Sequence, residues 1–193
     1  MTKQPSARER VLTSYIDLLI SDGPQAATLD AVAAAAGVSK GGLLYHFKSK
    51  EALTDGLLAQ LREYAEQDFA EMAEDPEGCA VYYLRTSVFG GSPFDRSIVA
   101  AHRLIQSDDD TVRQAFIELH ARWFELILSD VADLAVARAI MLLGDGMYYN
   151  AALFGFPVPT KKGSGGPAGG EQETMDLESL LAIVARMRST PAP

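Results

Sequence analysis

The 193-residue sequence is poor in residues that form disulfides or bind metals. Its one cysteine, Cys79, excludes an internal disulfide and fits a reducing compartment. Its three histidines, His46, His102 and His120, are too few for a histidine-rich metal centre, and no His-Glu-x-x-His sequence occurs. No stretch approaches ~18 consecutive apolar residues, so we expect no membrane span.

Signals for secretion and for common catalytic loops are also missing. The N-terminal residues contain no apolar run of the signal-peptide type, so we expect a cytoplasmic location. The segment 90–94 lacks the second glycine of a nucleophile elbow, and the glycine-rich run 163–170 lacks the Gly-Lys-Ser/Thr ending of a phosphate-binding loop. We therefore expect a protein that is not an enzyme, with no catalytic residues, no cofactor and no metal.

The sequence is strongly acidic, but its charged residues are unevenly distributed along the chain. The net charge is −9, yet residues 1–50 carry six basic and four acidic residues, and the remainder carries 11 basic and 22 acidic ones. A mildly basic N-terminal region on an acidic body means that only the N-terminal region can meet phosphate favourably. Taken alone, the acidic body fits a simple role in solubility equally well.

Apolar residues recur at helical spacing along most of the chain, and no strand pattern competes, which predicts an all-α fold. The expected helices cover residues 8–21, 28–36, a short stretch after Gly37, 49–75, a stretch from Pro76 through Phe89, 95–106, a stretch after the acids at 108–110, 132–154 and 176–188. Five glycines and three prolines predict a flexible loop over residues 157–174.

The most informative segment is 37–53, which reads Gly-Val-Ser-Lys-Gly-Gly-Leu-Leu-Tyr-His-Phe-Lys-Ser-Lys-Glu-Ala-Leu. An alanine-rich helix, a glycine turn and a second short helix have the size of a helix-turn-helix unit. Gly37 suits the positive φ of a tight turn, and Ser39 and Thr28 suit helix N-caps. Basic, aromatic and histidine side chains cluster within eleven residues: Lys40, Tyr45, His46, Lys48 and Lys50.

This segment resembles the turn, recognition helix and next helix start of a TetR-type DNA-binding domain. The resemblance covers residues 8–65, and the later helices agree in number and length. It implies an N-terminal helix-turn-helix DNA-binding domain over residues 6–52, whose long linking helix continues to about residue 74. It also implies a larger helical ligand-binding and dimerisation domain over 53–193, with a homodimer formed by the last two helices.

In that family the first residues of the recognition helix lie at base edges in the major groove, and Lys40, Gly41 and Gly42 hold those positions here. We expect Lys40 to donate to guanine and the two glycines to allow close approach. Tyr45 and His46 match an aromatic–histidine pair that contacts phosphates and nearby bases. The expected DNA-binding residues are Thr28, Ser39, Lys40, Gly41, Gly42, Leu44, Tyr45, His46, Lys48 and Lys50, and Phe47 is expected in the core.

Two positions depart from the family pattern. Leu44 stands where many members have tyrosine, so it offers an apolar contact, for example to a thymine methyl. Asp30 stands near a position that is often basic, and an exposed carboxylate there would oppose phosphate. Few side chains remain for base reading, so specificity is expected to depend partly on DNA shape. The alternative is that Tyr45 and His46 only pack the small domain.

The body helices carry the residues expected to line an effector pocket, in which apolar walls hold a few polar groups. These are Tyr82, Phe89, His102, Phe116, His120, Trp123, Met147, Tyr148 and Asn150. For each of them, plain core packing is the alternative. We expect the small-molecule effector to be apolar or aromatic, since the carboxylates are too dispersed in the sequence to indicate a cationic one.

Two late helices carry broad apolar faces. The first has Val136, Ile140, Leu143 and Met147, and the second has Leu177, Leu180, Leu181, Val184 and Met187. Together with the resemblance, these faces predict a homodimer on double-stranded operator DNA, with internal packing as the alternative. The predicted function is a ligand-responsive transcriptional repressor, released from its operator by a small molecule. The alternatives are a helical small-molecule carrier or enzyme using the body pocket, and a purely helical interaction protein.

Overall fold

A computed structural model describes residues 4–105, 110–155 and 177–189, and these residues are helical with no strand among them. The all-α prediction is confirmed. The helices in chain order are α1 (Ala7–Ser21), α2 (Leu29–Ala35), α3 (Lys40–His46), α4 (Lys50–Glu74), α5 (Cys79–Thr86), α6 (Pro93–Ile105), α7 (Asp110–Val131), α8 (Leu134–Phe154) and α9 (Leu177–Ser189).

The chain forms two compact units, and α4 and α7 each contribute to both. Unit 1 comprises Met1–Ala65 and Gly91–Glu118, and unit 2 comprises Glu66–Gly90 and Leu119–Pro193. In unit 1, α1 packs on α2, α3 and α6. Its fully buried side chains include Val11, Tyr15, Leu43 and Leu57, and the Tyr15 hydroxyl lies 3.0 Å from the Thr54 hydroxyl. The expected domain boundary at residues 52 and 53 stays a prediction.

Local capping explains where the N-terminal helices begin. Ser6 and Glu9 form a reciprocal capping box at the start of α1. The Thr28 hydroxyl accepts from the Ala31 N–H at 3.2 Å, which caps α2. The Ser39 hydroxyl accepts from the Gly42 N–H at 3.0 Å and caps α3. The predicted caps at Thr28 and Ser39 are confirmed.

In unit 2, α5 packs against α8 and α9. The N-terminal end of α5 is tied down by charged groups. Arg188 on α9 donates to the Asp130 carboxylate and to the Glu77 carbonyl, both at 2.8 Å. Asp130 also accepts from the Ala80 N–H at 2.9 Å, so one carboxylate holds the start of α5 and the end of α9 together.

Two predicted helix boundaries are wrong. The helix expected from Pro76 through Phe89 begins at Cys79 and ends at Thr86, where the Ser87 hydroxyl bonds the Tyr83 carbonyl at 2.6 Å. The helix expected from residue 95 begins two residues earlier, at Pro93, because proline suits the first helical position. The loop predicted over 157–174 lies outside the described residues, as do the acids at 108 and 109.

The apolar faces assigned to the dimer need a correction. Ile140 and Met147 on α8 are 0% and 7% exposed, and Leu180 and Val184 on α9 are 4% and 0% exposed, within a single chain. Internal packing therefore accounts for the burial of these four side chains. The exposed large apolar side chains of α8 are different ones, namely Leu134, Leu142, Leu153 and Phe154.

Candidate nucleic-acid interface

The helices α2 and α3 are joined by a tight turn. Gly37 adopts a φ of 66°, which favours glycine, and the Val38 N–H donates to the Ala33 carbonyl at 3.0 Å. Val32 on α2 and Leu43 on α3 are fully buried and anchor the pair to unit 1. The segment therefore has the predicted helix–turn–helix form, with one buried side on each short helix.

The opposite side of α3 faces solvent. Tyr45 is 83% exposed, His46 is also exposed, and the two rings stand edge to face with centroids 5.1 Å apart. The alternative in which these two residues pack the small domain is therefore excluded. Phe47, by contrast, is 3% exposed and belongs to the core, as predicted. An exposed tyrosine beside a histidine offers stacking surface and hydrogen-bonding groups to a partner.

Gly41 and Gly42 leave two positions in the first turn of α3 without side chains. A Cβ at Gly42 would lie 3.3 Å from the Ser39 hydroxyl, so the cap itself limits that position. A Cβ at Gly41 would meet nothing closer than 4.0 Å, and its φ is not in the positive range. Packing therefore does not require glycine at Gly41, although glycine costs a helix about 1 kcal/mol relative to alanine.

The predicted basic residues differ in their contacts. The Lys40 ammonium lies 3.0 Å from the Asp30 carboxylate, and both side chains are mostly exposed. The half-buried Lys50 donates to the Pro24 carbonyl, so it ties the start of α4 to the loop before α2. Lys48 is exposed, and Leu44 is half-buried. Asp30, expected to oppose phosphate, thus faces an ammonium of this chain.

Helix N-termini add polar groups near this surface. Thr28 and Ser39 are exposed at the starts of α2 and α3. At α4 the Ser49 hydroxyl accepts from the Ala52 N–H at 3.2 Å. A hydrogen bond involving Ser49 is the main reason that the pKa of Glu51 lies below its usual 4.5.

The nine residues predicted to line a pocket fall in both units. His102 and Phe116 lie in unit 1, with ring centroids 4.4 Å apart. The other seven lie in unit 2. There the Trp123 ring contacts Phe69, His120 and Tyr83, with centroid distances of 5.4, 5.7 and 6.3 Å. Phe89 contacts Tyr148 at 5.9 Å, Tyr82 and Met147 are each 7% exposed, and Asn150 is exposed.

Two carboxylates lie among these rings, and the sequence did not predict their place there. Asp68 on α4 accepts from the Trp123 indole at 2.7 Å and from the Tyr82 hydroxyl at 3.1 Å, and burial raises the pKa of Asp68. Asp145 on α8 accepts from the Tyr83 hydroxyl at 2.8 Å, and burial raises the pKa of Tyr83. The aromatic cluster of unit 2 is therefore polar at its edges.

Two further observations concern the described residues only. Among them, no group of three or more histidine, cysteine, aspartate or glutamate side chains is arranged to hold a metal ion. The helices within the described ranges include none that combines the length and the apolar character needed to cross a bilayer.

The glycine turn, the buried anchor of each short helix and the solvent-facing surface of α3 define a helix-turn-helix DNA-binding domain. Residues 16–57 match TetR_N, described as bacterial regulatory proteins of the tetR family. Over 62 residues, 32% of this chain, the sequence is 32% identical to each of two HTH-type transcriptional regulators of Pseudomonas putida, SrpR and TtgW. The matched stretch spans only 29% and 46% of those two proteins.

Solved structures share the fold over nearly the whole chain. EbrR, a multidrug binding protein solved with malachite green, aligns with a TM-score of 0.65 at 19% identity, covering 97% of this chain and 100% of EbrR. A TetR-family member of Streptomyces coelicolor A3, SCO1917, aligns with a TM-score of 0.60 at 21% identity, covering 97% and 100%. The N-terminal segment of the chain is therefore similar to the tetR family of bacterial regulatory proteins, and the solved structures show that their helical fold extends over nearly the whole chain.

Proposed function

We propose that this protein is a homodimeric repressor that a small molecule releases from its operator. The observation that carries the proposal is the exposed surface of α3, where Tyr45, His46 and Lys40 face solvent while Leu43 anchors the helix. An aromatic ring that is 83% exposed contributes little to the fold and offers stacking surface to a partner.

In the proposed complex α3 enters the major groove of double-stranded DNA. Its first turn, with Lys40 and the bare Gly41, approaches the base edges, and Tyr45 and His46 contact the backbone. Exposed N–H groups at the starts of α2 and α3 add phosphate contacts. Because Lys50 also bonds the Pro24 carbonyl, its contribution is partly to hold the loop before α2 in place.

The proposed effector is apolar or aromatic and binds among the rings of unit 2 around Trp123. The support is the set of ring contacts with Phe69, Tyr83 and His120, which offers stacking surface with hydrogen-bonding groups at its edge. EbrR, which shares the fold, has been solved with malachite green and with ethidium. A ligand acts by binding the DNA-incompetent state more tightly than the DNA-bound state.

The proposed dimer uses the exposed apolar side chains of α8, together with α9. Leu142, Leu153 and Phe154 are 63%, 41% and 65% exposed in the single chain, so a second copy would remove apolar surface from water. Two copies then present two α3 helices to paired half-sites of a pseudo-palindromic operator. Operator binding implies a cytoplasmic location.

The test is a binding titration of the purified full chain. A fluorescent duplex from the protein's own upstream region is compared with a scrambled duplex over a salt series, and selection from random duplexes follows if the first duplex fails. We expect tighter binding to the operator and a steep salt dependence, because phosphate contacts release counterions. Failure with both DNA sources would contradict the proposed function. Candidate aromatic ligands are then screened for release of the bound operator.

Tyr45→Ala tests the assigned surface. We expect operator affinity to fall about tenfold, with little change in the unfolding free energy, because the ring is exposed. Ile117→Ala is the matched control, since Ile117 is 56% exposed and lies on α7. If the two variants bind operator equally well, α3 is not the recognition helix.

A further inference from the structure

An ion pair joins the two helices of the helix-turn-helix. Asp30 lies in the first turn of α2, and Lys40 is the first residue of α3. Both carboxylate oxygens lie 3.0 Å from the ammonium, and the side chains remain 71% and 56% exposed. Such an exposed pair contributes little to stability, because solvent screens it. Stability alone therefore gives a weak reason for an acid at this place.

Asp30 is also the one acidic residue between positions 23 and 50. Under the proposed function this surface meets anionic phosphates, so its carboxylate opposes DNA of every sequence. The same carboxylate pairs with the ammonium of Lys40, which two glycines follow along α3. No other charged side chain occupies the first turn of α3, so the ion pair biases where that turn presents its positive charge.

We propose that Asp30 is a specificity-determining residue that acts through Lys40, an inference that rests on the proposed function. While it is paired with Asp30, the ammonium presents little net positive charge, so it attracts a phosphate anion only weakly. Guanine O6 and N7 are neutral acceptors, and an ammonium with three N–H donors can bind them while it keeps one donor on Asp30. Non-specific DNA therefore meets the repulsion of Asp30 in full, whereas the operator offsets it with a base contact.

The experiment compares Asp30→Asn with the parent as full chains, on the operator and on a scrambled duplex, over a salt series. We expect affinity for the scrambled duplex to rise about fivefold at ~0.1 M salt, since one repulsive charge is gone. Affinity for the operator should rise less, so the ratio of the two affinities falls. The salt slope on the scrambled duplex should steepen by about one, because Lys40 now binds a phosphate.

Two variants separate this role from bulk charge. Glu63→Gln removes a negative charge from an exposed site on α4 in the same unit, roughly 20 Å along the helix from Lys50. It should leave the affinity ratio unchanged. Lys40→Ala should relax the preference for guanine, and in its presence Asp30→Asn should no longer alter the ratio. Thermal unfolding of each variant verifies folding, with Asp30→Ser as a second replacement.

The proposal is overturned if Asp30→Asn changes both affinities by the same factor, or changes neither. It is also overturned if the loss of discrimination persists without the Lys40 ammonium, because Asp30 would then act by another route. These results leave the proposed function intact as long as the parent prefers its operator. A parent that does not discriminate between the duplexes overturns both the function and this role of Asp30.

Discussion

Asp68 shows how a single side chain links folding to pH. It accepts hydrogen bonds from Trp123 and Tyr82, yet burial raises its pKa above the usual 3.8. The protonated form is therefore favoured more in the folded chain than in the unfolded chain. Its contribution to stability is complete below about pH 4 and is lost as the pH rises through the raised pKa.

Asp68→Asn tests this dependence. Relative to the parent, we expect the unfolding free energy of the variant to increase as the pH rises from about 4 through the raised pKa, because the variant has no carboxyl group to ionise there. Denaturant unfolding over a pH series measures the difference, with Asp55→Asn at an exposed position of α4 as the control. A difference that stays constant with pH, or shrinks, would contradict the assigned shift.

Gly41→Ala should change the stability of the fold and the affinity for the operator in opposite directions. A Cβ meets nothing closer than 4.0 Å, so we expect stability to increase by up to about 1 kcal/mol through helix propensity. Operator affinity should nevertheless fall, because the methyl group enters the space between α3 and the bases. The measurements are chemical denaturation and operator titration.

Gly146→Ala on α8 is the matched control, since a Cβ there meets nothing within 4 Å. It should gain similar stability. Because Gly146 lies one helical turn after Leu142 on the proposed dimer face, this variant is a control for stability only. Should Gly41→Ala bind operator as tightly as the parent, the first turn of α3 does not approach the DNA closely.

At the scale of elements, close helix packing depends on glycines whose role is hidden in the sequence. A Cβ at Gly56 on α4 would lie 2.8 Å from the Phe47 ring and 3.4 Å from the Leu12 side chain. In unit 2, a Cβ at Gly144 on α8 would lie 2.5 Å from the Tyr83 ring. Both glycines therefore permit a close approach that any larger side chain would prevent.

Gly56→Ala should destabilise the chain by about 1–3 kcal/mol, because overpacking outweighs the gain in helix propensity. Since Phe47 directly follows α3, displacement of its ring should also weaken operator binding. Denaturation and titration report the two effects. The double variant Gly56→Ala/Phe47→Leu should recover part of the stability, and no loss in the single variant would show that the ring moves aside easily.

The sequence predicted those features whose causes are local. Thr28, Ser39 and Gly37 shape helix ends through nearby backbone groups, and Phe47, which directly follows α3, lies four residues after the buried Leu43. The end of α5 was not predictable, because apolar residues continue past it while the Ser87 hydroxyl bonds the Tyr83 carbonyl. Periodicity marks an apolar face without saying which surface covers it.

That ambiguity explains the two errors in the body. Ile140 and Met147 have the spacing of an interface, but the same chain buries them. Asp68 was overlooked, although it shares a helical face with Ala65, Phe69 and Met72, all of which are buried. An acid within an apolar stripe was the available signal for a buried carboxylate with hydrogen-bonding partners.

At the scale of the whole molecule, the main prediction is that the chain forms a homodimer through α8. Leu142→Glu places a charge on the proposed dimer face. Loss of one leucine from a buried interface costs ~1.5–3 kcal/mol, so the dimer dissociation constant should rise at least tenfold. Sedimentation or light scattering at micromolar concentration should show more monomer, and operator affinity should fall with it. Ile117→Glu, on α7, is the control with similar exposure. If Leu142→Glu leaves the dimer intact and Ile117→Glu dissociates it, the interface does not lie at Leu142.

The open space at Gly41 has an evolutionary consequence. Single nucleotide changes in glycine codons yield alanine, valine, serine, cysteine, arginine, tryptophan or an acid, and the helix surface at Gly41 accommodates the Cβ atom of any of them. In the proposed complex each such change would alter what the first turn of α3 offers to the bases without repacking its neighbours. The fold therefore sets no barrier to such mutations, and only the loss of close approach to the bases opposes a change of the preferred operator.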